Sequence, residues 1–263
     1  MQFKDQVVWI TGASSGLGWA MALEFARLGA TLVLTARREK MLEQLVAHIE
    51  AAGGRAVAMA CDVTDDASLR ATADRIAAEL GRLDVAVANA GFSVSGRFED
   101  ISAADWDRQM RLNVTALAMT ARHALPQLRA TAGRLVLIGS ASAFVPVPRA
   151  APYAASKAAV HSIGETLQIE LSGSGVSCTT IHPGFVESNI ARVDSAGVFH
   201  PDARDPRPAR LMWPSDRAAR VMVRAIRRRR KVFVFTGHGR LAYWVGRLVP
   251  PVARVAMRKV GVR

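Results

Sequence analysis

Short, mainly apolar runs recur along the chain at 7–10, 31–35, 56–61, 85–88, 135–138 and 176–181. Each is too short for a stable helix, and none alternates strictly between polar and apolar positions. Each is therefore predicted as a strand covered on both faces. Between them lie longer stretches with helical periodicity, at 17–28, 38–52, 103–129 and from about residue 153 to 171. Another helix follows Thr64 or Asp65, either of which can cap it, and runs to Leu80. Gly29 and the pair Gly53-Gly54 stand where helices end. Pro126 is expected to bend or shorten the 103–129 helix near its end. After a stretch at 189–213 rich in Pro, Arg and Asp, with no assigned structure, the pattern gives a helix at 216–230 and a last strand at 232–235.

Strict alternation of continuously apolar strands with helices predicts the α/β class. The architecture is a single Rossmann-type, doubly wound parallel sheet of about seven strands with helices on both faces. Such sheets bind ligands beyond the carboxyl ends of their strands. One domain spans 1–238, and 239–263 is a basic amphipathic extension.

The first strand runs into Thr11-Gly12-Ala13-Ser14-Ser15-Gly16-Leu17-Gly18. Glycines at 12, 16 and 18 allow a tight turn and a close backbone approach to phosphate at a helix N-terminus, so the turn, Ser14, Ser15 and Leu17 included, is a candidate dinucleotide site. A carboxylate at the end of the second strand would bind a ribose 2′-hydroxyl, whereas Arg accommodates a 2′-phosphate. The chain has Thr35-Ala36-Arg37-Arg38, with no acid. Arg37, supported by Arg38, therefore points to NADP(H) rather than NAD.

Tyr153 and Lys157 are four apart on a predicted helix, on one face. A free phenol titrates near ~10, too high for proton exchange at neutral pH, and a neighbouring cation favours the phenolate. The pair suits proton transfer to or from a substrate oxygen. The other tyrosine, Tyr243, lies beside Trp244 and Val245, where packing or an interface is expected.

The 263 residues include only two cysteines, Cys61 and Cys178, each inside a strand-like run. A disulfide framework is excluded, no leader fits before the first strand, and a reducing cytoplasm is the expected compartment. No apolar run reaches the ~18 residues of a spanning helix. Neither the cysteines nor His48, His123, His161, His182, His200 and His238 have metal-ligand spacing, so no metal site is expected. The net charge of +13 is uneven: from Arg204 onward, 17 Lys and Arg face only Asp205 and Asp216, leaving the rest of the chain slightly acidic. In that tail Leu241, Trp244, Val245 and Leu248 form an apolar stripe, Pro250-Pro251 breaks the helix, and 252–260, with Arg254, Arg258 and Lys259, can form another. A basic amphipathic segment can lie on an anionic membrane surface; a solvated face or a subunit contact would read the same way. No nucleic-acid-reading motif is present.

Taken together, these features resemble the short-chain dehydrogenase/reductase family, closely over residues 5 to about 190. The resemblance includes the glycine turn, Asp62-Val63, Asn89-Ala90-Gly91, Asn113, Ser140, Tyr153 with Lys157, and Pro183-Gly184. It implies that Tyr153 is the general acid/base, that Lys157 depresses its pKa and holds the nicotinamide ribose, and that Ser140 hydrogen-bonds the substrate oxygen. Asn113 would hold a proton-relaying water. Asp62 and Val63 would meet the adenine, and Asn89 the strand end and adenine-side ribose. Val186 and Ser188 would orient the carboxamide, Ser188 standing where the family more often has Thr. The resemblance also implies a lid at 189–213 and a homodimer or homotetramer built on the 103–129 and Tyr153 helices. Apolar residues at 92–94 and 144–147 suggest a hydrophobic carbonyl or alcohol substrate. The reading is an NADP-dependent oxidoreductase; the alternatives are an NAD-preferring alcohol dehydrogenase and a non-catalytic dinucleotide sensor.

Overall fold

Five consecutive buried residues, Val7–Thr11 (β1), lie at the centre of a seven-stranded sheet. This computed structural model describes residues 2–194 and 197–261. The strands that follow are Thr31–Ala36 (β2), Arg55–Ala60 (β3), Val85–Ala88 (β4), Arg134–Ile138 (β5), Ser177–His182 (β6) and Val232–Val234 (β7). Their order is β3-β2-β1-β4-β5-β6-β7, and every pairing is parallel. The helices are Gly16–Arg27 (α1), Glu39–Ala51 (α2), Asp66–Leu80 (α3), Ala103–Met110 (α4), Ala116–Ala130 (α5), Ala151–Glu170 (α6), Ser215–Arg227 (α7), Gly237–Leu248 (α8) and Pro250–Gly261 (α9).

Both faces of the sheet are covered, which is why its strands read as apolar without alternation. On one face Val8, Ile10, Leu32 and Leu34 pack against Met21 and Phe25 of α1, Leu42 and Leu45 of α2, and Met222 of α7. On the other, Val7, Trp9 and Val33 pack against Leu69 and Ile76 of α3, Leu117 of α5 and Val160 of α6. Strand order reverses between β1 and β4, and the turns after these two strands meet there: the Asn89 amide donates to Thr11 O at 2.8 Å. Of the two candidate caps of α3, Thr64 and Asp65, it is Asp65 whose carboxylate accepts from the Ala67 N–H.

The predicted 103–129 helix is not continuous. A π-helical turn at Arg111–Thr115 separates α4 from α5. Asn113 sits inside that wider turn, fully buried, with its amide engaged across to the chain after β4. Pro126 lies within α5 and does not end it; the helix runs on to Ala130.

The tail is folded onto the domain. Tyr243 of α8 packs edge-on against Phe144, with ring centroids 4.8 Å apart, and Gly246 leaves no room for a Cβ against the Phe144 carbonyl. Pro250 and Pro251 end the α8 pattern and open α9. The side chains of Arg258 and Lys259 lie outside the described residues. Among the described residues no helix is long and apolar enough to cross a membrane, and no cluster of potential ligands could hold a metal ion.

Candidate active site

A cavity of about 940 Å³ runs along the carboxyl ends of β1 to β6. At one end lies the glycine turn. Gly12 and Gly16 have φ of +66° and +56°, which favour glycine. A Cβ on Gly12 would stand 2.8 Å from Ala90 Cα, so the turn packs directly on the residues after β4. Gly18 does not face the cavity; a Cβ there would meet Gly12 O at 2.5 Å, and the glycine lets α1 pass beneath the turn. Ser15 is the N-cap residue of α1 but makes no side-chain cap bond, which leaves the first-turn N–H groups open toward the cavity. Such a cradle fits a pyrophosphate.

Arg38 bridges this turn, donating from Nη2 to the hydroxyls of Ser14 and Ser15 at 2.9 Å each. Burial works to raise the Asp62 carboxyl, but the Thr64 N–H and hydroxyl, both donating to that carboxylate, and more weakly the charge of Arg37, exposed on the cavity rim, hold it below the usual range. Asp62, Val63, Asn89, Ala90 and Gly91 also face the cavity. Asn89 joins the ends of β1 and β4: its N–H donates to Thr11 Oγ1 at 3.0 Å, and its amide donates to Thr11 O and Gly12 O.

At the other end, Ser140, Tyr153 and Lys157 face the same cavity, together with Pro183, Gly184, Val186 and Ser188. The Ser140 hydroxyl, on the same cavity, pulls the Tyr153 phenol pKa down. Burial opposes it and dominates, so the phenol titrates above its ordinary value. The positive charge of Arg207 works in the same direction as the serine. Lys157 lies one turn along α6, with Nζ 5.7 Å from the Tyr153 ring centroid, and donates to Ile138 O at 2.9 Å. Burial lowers its pKa to about 8.

Asn113 stands behind this group and does not line the cavity. Its Oδ1 accepts from Phe92 N–H at 3.1 Å, and its Nδ2 donates to Phe92 O and to Ser156 Oγ, each at 3.0 Å. All of its amide capacity to donate is used within the protein. Ser140 is set from behind by His182, whose Nδ1 lies 3.0 Å from Ser140 O. Burial pushes the His182 imidazole down to about 3, so it is neutral. Gly139 has no alternative here, since a Cβ would meet that ring at 2.5 Å.

The apolar wall expected at 92–94 and 144–147 is present only in part. Phe92 does line the cavity, but Phe144 turns away to pack against His161, His182 and Tyr243. Ile190, Val193 and Phe199 of the 189–213 segment supply apolar lining instead. Arg207 was also missed: it lines the cavity near Tyr153, from a stretch whose many charges carry no periodic signal.

The family model for short chain dehydrogenases matches residues 6–197. Among curated proteins, the one named "Probable oxidoreductase EphD" of Mycobacterium tuberculosis is 33% identical over 97% of this chain. The match covers 45% of that protein, so this chain spans about half the length of that relative. The 11-beta-hydroxysteroid dehydrogenase A of Sesamum indicum is 34% identical over 96% of this chain and 74% of its own length. Two solved Burkholderia structures share the fold. A short-chain dehydrogenase/reductase of Burkholderia phymatum in complex with NAD has a TM-score of 0.81 at 26% identity, covering 100% of this chain and 96% of that one. A short chain dehydrogenase of Burkholderia cenocepacia in complex with NADP has a TM-score of 0.80 at 29% identity, covering 91% and 100%. With this sheet order, this site and these matches, the chain belongs to the short-chain dehydrogenase family of oxidoreductases.

Proposed function

We propose that the protein is an NADP(H)-dependent oxidoreductase that interconverts a carbonyl and a secondary alcohol on an apolar substrate. The observation that carries this reading is that Ser140, Tyr153 and Lys157 line one cavity with an open helix N-terminus at a glycine turn. When bound, the nicotinamide supplies or accepts hydride. The chain supplies orientation and one proton. Tyr153, held protonated by burial, donates to the carbonyl oxygen in reduction, while the Ser140 hydroxyl hydrogen-bonds that oxygen and steadies its developing charge. Lys157 sits where it can meet the nicotinamide ribose and favour the phenolate once the proton has left. Asn113 fixes Phe92 and, through Ser156, the helix that carries Tyr153. Ile190, Val193 and Phe199 give the substrate end its apolar character, which suits a lipid-like or steroid-like alcohol; the sesame relative is named a hydroxysteroid dehydrogenase.

Arg37 supports NADP(H) over NAD(H), because it lies free at the end of β2 where no carboxylate stands. Arg37→Ala is expected to weaken NADPH about tenfold or more, the scale of a charge-assisted contact to phosphate, and to leave NADH within about twofold. Isothermal titration with both dinucleotides reads this directly, and equal losses would remove the NADP argument.

The tail carries a second reading, about location. Leu241, Trp244 and Leu248 are 64%, 57% and 70% exposed, and Val252 and Val255 continue the apolar face beside Arg240, Arg247 and Arg254. Two copies of so basic a surface repel each other, whereas an anionic lipid surface attracts it. The protein is expected to sediment with vesicles containing phosphatidylserine and not with neutral ones. Trp244→Glu should abolish that binding, and sedimentation independent of anionic lipid would refute it. The same family membership supports a homo-oligomer formed through α5 and α6.

A further inference from the structure

The segment after β6, Pro183 to Ser188, forms the cavity wall at the Tyr153 end, and several of its backbone bonds go to the lid and to α8. Phe185 N–H donates to His238 Nε2 at 2.8 Å. Trp213, at the far end of the 189–213 segment, donates to Phe185 O and accepts from Glu187 N–H, at 3.0 Å each. Two more of its carbonyls are taken by one side chain. Arg207 donates to Val186 O and to Ser188 O, both at 2.9 Å, and lies 3.4 Å from Ser188 Oγ. Its other edge is locked by Asp205, with Nε to Oδ1 at 2.9 Å and Nη2 to Oδ2 at 2.7 Å, while Arg207 N–H donates to Oδ1 at 3.0 Å.

A guanidinium has five N–H donors, and here all five have partners within the chain. Its side chain is only 16% exposed. Arg207 is therefore not a free anion site waiting for a charged substrate, although it lines the cavity. It is a clip, and what it clips is the pair of residues, Val186 and Ser188, that face the nicotinamide end in the reading above.

We propose that Arg207, oriented by Asp205, is a positioning residue that ties the lid to residues 186–188 and so fixes the surface that receives the nicotinamide ring. This rests on the dinucleotide reading of the cavity. The clip also holds a cation on the Tyr153 side. The Ser140 hydroxyl and Arg207 from the lid both lower the phenol pKa, and around them stand Lys157 on α6, with Nζ 5.7 Å from the ring centroid, Asp205 paired to Arg207, and neutral His182 on β6 behind Ser140. Lys157 donates to Ile138 O and keeps its charge, and the lid arginine is a second source of positive charge there.

The test compares Arg207→Met and Arg207→Lys with the wild-type protein. Calorimetric titration measures NADPH and, separately, 2′-phospho-ADP-ribose, which lacks the nicotinamide. With Met, NADPH is expected to bind about tenfold more weakly while the fragment binds as before. In alcohol oxidation the pH profile should move upward by about half a unit to one unit, because a cation near the phenol has been lost. Lys restores the charge but cannot make the two-edged clip, so it should recover the pH profile and not the affinity. Equal weakening of NADPH and fragment would mean that the lid has merely collapsed, and unchanged NADPH affinity in Met would mean that the clip does nothing; either overturns the proposal. If the wild type binds NADPH but turns nothing over, the catalytic reading fails while the binding comparison still decides the clip.

Discussion

Tyr153→Phe is expected to fold, bind NADPH within about threefold of the wild type and lose turnover by ~10²–10⁴-fold, the contribution of a positioned general acid. The substitution removes one oxygen. The Ser140 hydroxyl still accepts from Ser142 N–H at 3.2 Å, so the loop after β5 retains its shape. The glycine turn and Arg37 stand at the opposite end of the cavity, so the dinucleotide should scarcely register the change. Parallel measurement of kcat and NADPH affinity reads both parts. A variant that keeps a tenth or more of wild-type turnover would assign the proton to another group.

Lys157→Met should separate stability from activity in the opposite sense to most core substitutions. Burial lowers the Lys157 pKa from 10.5 to about 8. The unfolded chain thus holds the proton up to about pH 10.5 and the folded chain only up to about pH 8. Between those values the unfolded state binds more protons, so stability rises with pH across that window, and below pH 8 the full penalty applies. The difference corresponds to roughly 3 kcal/mol at neutral pH. Met fills similar space without a charge but leaves Ile138 O without its donor, which costs about 1–3 kcal/mol. The variant is therefore expected to be as stable as the wild type or up to ~2 kcal/mol more stable by urea denaturation, with turnover reduced by ~10²-fold or more. A clear loss of stability at pH 7 would show that the lysine is not a buried charge held at a cost. Sites of this kind persist because the reaction needs them, not because folding does.

Much of this site was legible in the sequence because its parts stand at strand ends, where local chemistry is marked. Gly12, Asp62, Asn89, Ser140 and Pro183 each follow an apolar run, and a doubly wound sheet brings the carboxyl ends of those runs to one edge. The spacing of Tyr153 and Lys157 needed only helical geometry. What escaped lacked such marks. The π-helical turn around Asn113 carries no glycine or proline; it exists because a buried amide finds Phe92 and Ser156, contacts 21 and 43 residues away in sequence. Phe144 looked like a substrate wall, but the tail brings Tyr243 over it, and a ring enclosed by His161, His182 and Tyr243 cannot also face the cavity. Arg38 is expected from the sequence to support Arg37 at the phosphate, and only the structure shows it spent on Ser14 and Ser15. Arg207 sits in an aperiodic stretch of prolines and charges, where a clip and a solvated loop look the same until the partners are seen.

The most direct test of the account is hydride transfer itself. The purified protein is mixed with NADPH and, in turn, hydrophobic ketones, 3-oxosteroids and a small polar aldehyde, and the reduced-nicotinamide absorbance is followed. The account predicts that absorbance falls with an apolar ketone, faster with NADPH than with NADH and more slowly with the polar aldehyde. Tight NADPH binding with no hydride transfer to any carbonyl, and none from the matching alcohols to NADP, would contradict it and leave a dinucleotide-binding protein without the chemistry.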